Sequence, residues 1–206
     1  MRRTLQIFLF SSGILSALIV AQTATAQASR AGGDTPRVDI FLGYSYIRAN
    51  SVVTGTPINL NGGSGSLAYD LNNWIGLVAD GGFYRQGSVT ANGLSLNISS
   101  FQAGPRISLR QRAHLIPFGQ VLAGAGHATG TLYSYSLGPG LAPIGSNTRF
   151  MLTAGVGVDW KLTPTIGIRI IQAEYLYSQF LNGGSYSNEQ NNVRLSAGIV
   201  LSFGAH

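Results

Sequence analysis

Hydrophobic side chains in this chain recur at every second position over many short stretches. The clearest stretch lies near the end: Val193, Leu195, Ala197, Ile199, Leu201 and Phe203 alternate with Arg194, Ser196, Gly198, Val200 and Ser202. Successive side chains of a strand point to opposite faces, so this run is a strand with one apolar face. Its other face is small or polar and carries one charge. Its length suits a membrane-crossing strand, which needs about 9–11 residues, apolar toward lipid and polar toward the lumen.

The same pattern predicts seven more strands. The first is Val38 to Arg48, with Val38, Ile40, Leu42, Tyr44 and Tyr46 opposite Asp39, Phe41, Gly43 and Ser45. The second is short, Ser66 to Leu71. The third, Trp74 to Arg85, turns Gly76, Val78, Asp80, Gly82 and Tyr84 inward if Asp80 points in. The fourth, Leu96 to Arg110, turns Gln102, Gly104, Arg106 and Ser108 inward. It contains Pro105, for which a bulge is expected, since proline cannot donate to a ladder. The fifth, Leu115 to His127, is ambiguous in phase; Gln120 suggests that even positions face in. The sixth is Arg149 to Leu162, and a change there from Val156 to Asp is expected to cost more than the same change at inward Gly157 if a basic partner lies in reach of the latter. In the seventh, Ile166 to Phe180, Arg169 and Glu174 have opposite parity, so one faces outward or a bulge intervenes.

Between strands, Asn72-Asn73, residues 111–114 and Thr163-Pro164-Thr165 are short turns. The segments 49–65, 86–94, 128–148 and 181–191 are long and rich in Gly, Ser, Asn and Thr. Short turns and long loops alternate, as in outer-membrane barrels. On strands 38–48, 74–85, 101–112, 149–162 and 192–203 the chain resembles the outer-membrane β-barrel superfamily, in particular the eight-stranded porin-A-like barrels. The resemblance implies an all-β, eight-stranded antiparallel up-and-down transmembrane β-barrel over residues 37–204. It also implies that the barrel-assembly machinery reads the last strand through Leu201 and the terminal aromatic Phe203. The tail Gly204-Ala205-His206 departs from members that end on the aromatic itself. A secreted lipocalin-like barrel would reverse the polarity, placing charges such as Asp80, Arg106, Asp159 and Arg194 outside.

The start of the chain fits export. Arg2 and Arg3 precede an apolar stretch from Leu5 to Val20, and Ala24-Thr25-Ala26 is an A-x-A site, so residues 1–26 read as a signal peptide. Residues 27–36 read as a flexible periplasmic leader. The chain has no cysteine, hence no disulfide and no lipidated cysteine. No second stretch approaches the length of a spanning helix, so membrane residence requires a barrel. Lys and Arg exceed Asp and Glu by six, and by four without Arg2 and Arg3. The excess is scattered, which does not suggest nucleic-acid binding.

Candidate chemistry is confined to interior charges: Asp39, Asp70, Asp80, Arg106, Arg110, Asp159, Glu174 and Arg194. An eight-stranded barrel is just wide enough for side chains to fill, and charges buried there must pair. Asp80 and Arg106 are expected in one network in the lower half, with Glu174 meeting Arg194 higher up. His114, His127 and His206 are dispersed and suggest no catalytic or metal site. Gly124-Ala125-Gly126-His127-Ala128-Thr129-Gly130 lacks the spacing of a dinucleotide loop. Tyr44, Tyr46, Tyr69, Trp74, Phe83, Phe101, Trp160, Tyr175, Tyr177 and Phe203 fit aromatic girdles. The expectation is a monomeric, non-enzymatic barrel without cofactor, in outer-membrane lipid or lipopolysaccharide, both termini periplasmic. It serves a structural or surface-exposed role, with a small pore, a loop-borne adhesin or binding barrel, and a lipid-modifying enzyme as alternatives. Cell fractionation should recover the protein with outer membranes, and boiling should shift its gel mobility as the closed sheet opens.

Overall fold

β-Branched and aromatic residues at every second position favour extended chain, and a hairpin alone cannot bury its apolar row. Here the solution is closure. The computed structural model describes residues 38–49, 58–86, 96–110, 114–130, 145–180 and 189–204. They form β1 (Val38–Ala49), β2 (Ile58–Asp70), β3 (Ile75–Gln86), β4 (Leu96–Ser108), β5 (Leu115–Gly130), β6 (Gly145–Lys161), β7 (Ile166–Ser178) and β8 (Gln190–Phe203). Each strand pairs antiparallel with its sequence neighbour, and β1 closes on β8 from Val38↔Phe203 to Arg48↔Val193. The signal-peptide and leader segments lie outside the described residues, as do the central parts of the four long loops.

The hydrogen-bonded register is staggered. Partners followed from Asp70 through Gly76, Arg106 and Gln120, then Gly155, Glu174, Arg194 and Ile47, return to β2 at Leu60, ten residues along. With eight strands, that stagger tilts each strand by about 40° to the barrel axis, from ordinary strand rise and spacing.

The short turns gather at one end. Asn72 closes the β2–β3 turn by accepting from the amides of Trp74 (3.0 Å) and Ile75 (2.8 Å). Thr163 Oγ1 accepts from the Ile166 amide at 2.9 Å in the β6–β7 turn. These side chains mimic backbone turn bonds, which is why Asn and Thr stand there. Residues 111–113 of the third turn lie outside the described residues.

Some expectations change. β2 begins at Ile58, well inside the stretch expected as loop. Its outward positions there are Asn59, Asn61, Gly63 and Gly65, which look like loop, while Ile58 and Leu60 are buried inside. β5 and β6 likewise extend into the predicted loop, to Gly130 and from Gly145. No bulge forms at Pro105: the register is the same at Ala103↔Ala123 and Arg106↔Gln120, and Gly104 and Pro105 simply lack paired partners on β5. The real bulge is on β7, where the register shifts against both neighbours around Ile170 and Ile171. Both isoleucines are exposed on the outer wall, so Arg169 below and Glu174 above both turn inward. Gly157 also leaves little room for a side chain: a Cβ there would run into the Phe118 ring. Large interior side chains lie over inward glycines throughout, with Phe41 over Gly43, Tyr84 over Gly82 and Glu174 over Gly155. This accounts for much of the chain's high glycine content.

The outer wall is apolar at mid-height, with Leu42, Leu77, Val121, Val156 and Ile199 exposed. Tyr69, Trp74, Trp160 and Phe203 ring the turn end, and Tyr44, Phe83 and Tyr175 stand toward the loop end. Val156→Arg should destabilise the barrel by about 2–4 kcal/mol, the cost of a midplane charge on the lipid face. Gly157→Ala should cost about 1–3 kcal/mol by overpacking against Phe118. Urea titration of the lipid-embedded protein measures both; two wild-type midpoints would mean that these faces are misassigned.

Candidate functional site

The interior is built in layers, each placed by strand register. At the turn end, Arg110 Nη2 lies 3.1 Å from Asp39 Oδ2 and 2.6 Å from Asp70 Oδ2, joining β1 and β2 across the barrel. Ser202 of β8 donates to the other oxygen of Asp39 at 2.6 Å.

Above it, Arg169 grips Asp159 with two bonds, Nε to Oδ1 at 2.7 Å and Nη2 to Oδ2 at 2.9 Å. Its guanidinium lies between two rings, 4.2 Å from the centroid of Phe41 and 4.4 Å from that of Phe118. Arg106 covers the same Phe118 ring at 4.4 Å. A ring face is electron-rich and attracts a cation, so these rings partly replace water for two guanidinium groups. Arg106 has no carboxylate within salt-bridge distance; its Nε and Nη2 donate to Gln120 Oε1 at 3.0 and 2.8 Å.

The next layer centres on Arg194, fully buried on β8. Its Nε lies 2.5 Å from Glu174 Oε2, and its Nη1 lies 2.9 Å from Asp80 Oδ1 and 2.7 Å from the Tyr84 hydroxyl. Gln120 Nε2 donates to Glu174 Oε1 at 2.9 Å. Asp80 and Arg106 are therefore linked only through Arg194, Glu174 and Gln120, with no direct contact. Glu174 and Arg194 meet directly. A charge buried in low dielectric needs such partners; of the Arg194 side-chain nitrogens, Nη2 alone has none among the described residues. Beside this layer, Ser45 bonds Ser64 (2.6 Å) and Ser196 (2.7 Å), and Thr153 donates to Gln102 across the interior at 2.9 Å.

Toward the loops the interior becomes apolar. Ile47, Ala49, Ile58, Leu60, Tyr84, Ala128, Met151, Leu176 and Phe180 form one buried cluster, with Leu96 and Ile98 packed against it. Tyr84 belongs to this cluster and also accepts from Arg194, so one ring joins the two zones.

All eight charged residues singled out in the sequence face this interior. Arg169 is a ninth; the bulge at Ile170–Ile171 obscures its parity in the sequence. The apolar upper cluster was also missed, because its residues were assigned partly to loops. A signal existed: Ile58 and Leu60 alternate with Asn59 and Asn61 in a sense opposite to the lower strands. His114 sits at the β4–β5 turn, 3.4 Å from the Lys161 carbonyl, and His127 is on the outer wall, 2.7 Å from Thr148 Oγ1. His206 lies outside the described residues. Among the described residues, no group of three or more His, Cys, Asp or Glu is placed to hold a metal.

Residues 13–203 match the family model described as the outer membrane protein beta-barrel domain. Among solved structures, the chain is similar to Neisserial surface protein A at 17% identity over 83% of this chain and 99% of that one, with a TM-score of 0.65. It is also similar to Ail, the attachment invasion locus protein of Yersinia pestis, at 20% identity over 82% of this chain and 99% of that one, with a TM-score of 0.56. At these identities the likeness is one of fold. No curated relative matches it.

Arg194→Ala would leave Asp80 and Glu174 buried without their cation, and should cost about 3–5 kcal/mol in unfolding free energy. Adding Asp80→Asn should recover part of that loss. The same Asp80→Asn change should not rescue Arg106→Ala, because those two side chains do not touch. A double-mutant cycle in detergent reads the coupling directly.

Proposed function

The chain belongs to the outer membrane protein beta-barrel domain family, and from that premise we propose that it is a filled barrel acting at the cell surface. In this reading it stands in the outer membrane, holds its four long loops outside, and conducts no solute. Both ends of the sheet, Val38 and Phe203, pair at the turn end, which fits termini in the periplasm. Phe203 is exposed at that rim and Leu201 partly so, available to the assembly machinery as the last strand is inserted.

The observation that carries the reading is the apolar cluster above the charge network. A narrow polar lumen admits water and ions if its charged side chains can exchange partners. An apolar constriction excludes water by dewetting, whatever the charges below it do. Leu60, Tyr84 and Leu176 in this cluster are fully or almost fully buried, and side chains from seven strands meet there. An ion crossing the barrel would have to displace this packing as well as the salt bridges. The barrel's role then falls to its outer wall and its loops.

Planar-bilayer recording of the purified, heat-shiftable protein should give no discrete conductance steps. A Leu60→Ser/Leu176→Ser variant, which makes the cluster polar, should conduct more often than the wild type. Reproducible wild-type channels would overturn the proposal in favour of a pore.

A further inference from the structure

The chain has seven acidic residues, and most of those among the described residues are committed to the interior. Asp39, Asp70, Asp80, Asp159 and Glu174 are all buried in the interior and held there by Arg110, Arg169 and Arg194. Glu189 stands at the loop-end rim, 3.3 Å from the Tyr177 hydroxyl, and Asp34 lies outside the described residues. Arg48 and Arg85 point outward and are exposed near the loop-end limits of β1 and β3. Among the described residues, neither forms a salt bridge.

The register brings these two arginines to one place. Arg48 is opposite Asn59 and Arg85 is opposite Asn61, so they flank two successive outward positions of β2. The Asn side chains between them are fixed: Tyr46 donates to Asn59 at 2.7 Å and Tyr44 to Asn61 at 2.5 Å. Tyrosines on the outer wall mark the headgroup level of a membrane. Directly below, toward the midplane, the outward residues of β2 and β3 are Gly63, Gly65 and Gly81, between Leu42 and Tyr44 on one side and Phe83 and Phe101 on the other. A Cβ built on Gly63 or Gly81 would meet a single atom, at 3.7 Å, whereas one on Gly65 would lie 3.0 Å from Leu42 Cδ2, so the wall is a shallow channel over Gly63 and Gly81, bordered by Leu42 at Gly65.

We propose that Arg48 and Arg85 clamp the phosphorylated headgroup of an external-leaflet lipid, with an acyl chain lying over the glycines beneath. Charge complementarity selects the occupant. Two exposed guanidinium groups at headgroup depth match phosphate oxygens, and the amide groups of Asn59 and Asn61 supply further donors. The channel below suits a chain of methylene groups. This inference rests on the outer wall's facing lipid; it is independent of whether the lumen conducts.

The test is native mass spectrometry of the purified full-length protein in detergent, titrated with bisphosphorylated lipid A. The wild type should retain it, and should retain the dephosphorylated form much less. The Arg48→Ala/Arg85→Ala variant should bind the phosphorylated lipid about thirtyfold more weakly, the loss expected for two arginines at an anionic surface. Arg48→Lys/Arg85→Lys should keep most of the affinity. Gly81→Leu, whose side chain enters open space, should weaken retention without touching the arginines. Equal retention of the two lipid forms by the wild type would overturn the proposal without any variant having to fold. So would an alanine variant, shown folded by its heat-shifted mobility, that binds as the wild type does. Displacement of the lipid by equimolar inorganic phosphate would also overturn it, since the site would then be one for a free anion.

Discussion

Closure of the hydrogen-bond ladder governs this molecule. In hydrocarbon no water is available to an unpaired amide or carbonyl, so a sheet survives there only without edges. The β1–β8 seam, Val38↔Phe203 through Arg48↔Val193, removes both edges at once. Closure with eight strands and a ten-residue stagger then fixes the circumference and thus the interior volume. What lies inside must fill that volume closely. Bulky Phe41, Tyr84, Phe118 and Glu174 do so because glycines opposite or beside them yield the space.

The interior polarity follows from the same geometry. Near the turn end the inward residues are charged and the outward ones apolar. Near the loop end the sense inverts, with Ile58, Leu60 and Leu176 inside and Asn59, Asn61 and Arg85 outside. The outer wall there has left the hydrocarbon level and reached the polar headgroup level, where tyrosine and asparagine are at home. The inside there is mainly apolar because the ionic network ends at Tyr84, and the buried Asn192–Ser178 pair is polar but uncharged.

This inversion explains what the sequence disclosed and what it hid. Strands with lipid-facing alternation over their full length, such as 193–203 and 149–162, could be read directly. The first half of β2 could not, because a strand whose outer face is Asn and Gly has the composition of a loop. Pro105 suggested a bulge that the ladder does without; Gly104 and Pro105 pair with β3 but have no partners on β5, and the register is the same on either side. The parity conflict between Arg169 and Glu174 located the true bulge to within a few residues but left Arg169 unassigned. The pairing of Asp80 with Arg194 is long-range, between strands that are not neighbours, and strand heights alone could not choose between Arg106 and Arg194 as its partner.

The Arg194 hub also bears on fidelity of assembly. A slip of β8 by two residues against its neighbours preserves every inside-outside assignment, so the hydrophobic pattern does not oppose it. It would carry the Arg194 guanidinium roughly 7 Å along the strand, away from Asp80 on β3 and Glu174 on β7 together. Three buried charges would lose their partners in one error. The cost falls on β8, one side of the β1–β8 seam that closes the sheet. The buried ions thus discriminate between registers that hydrophobicity treats as equal, and act as a proofreading device for closure.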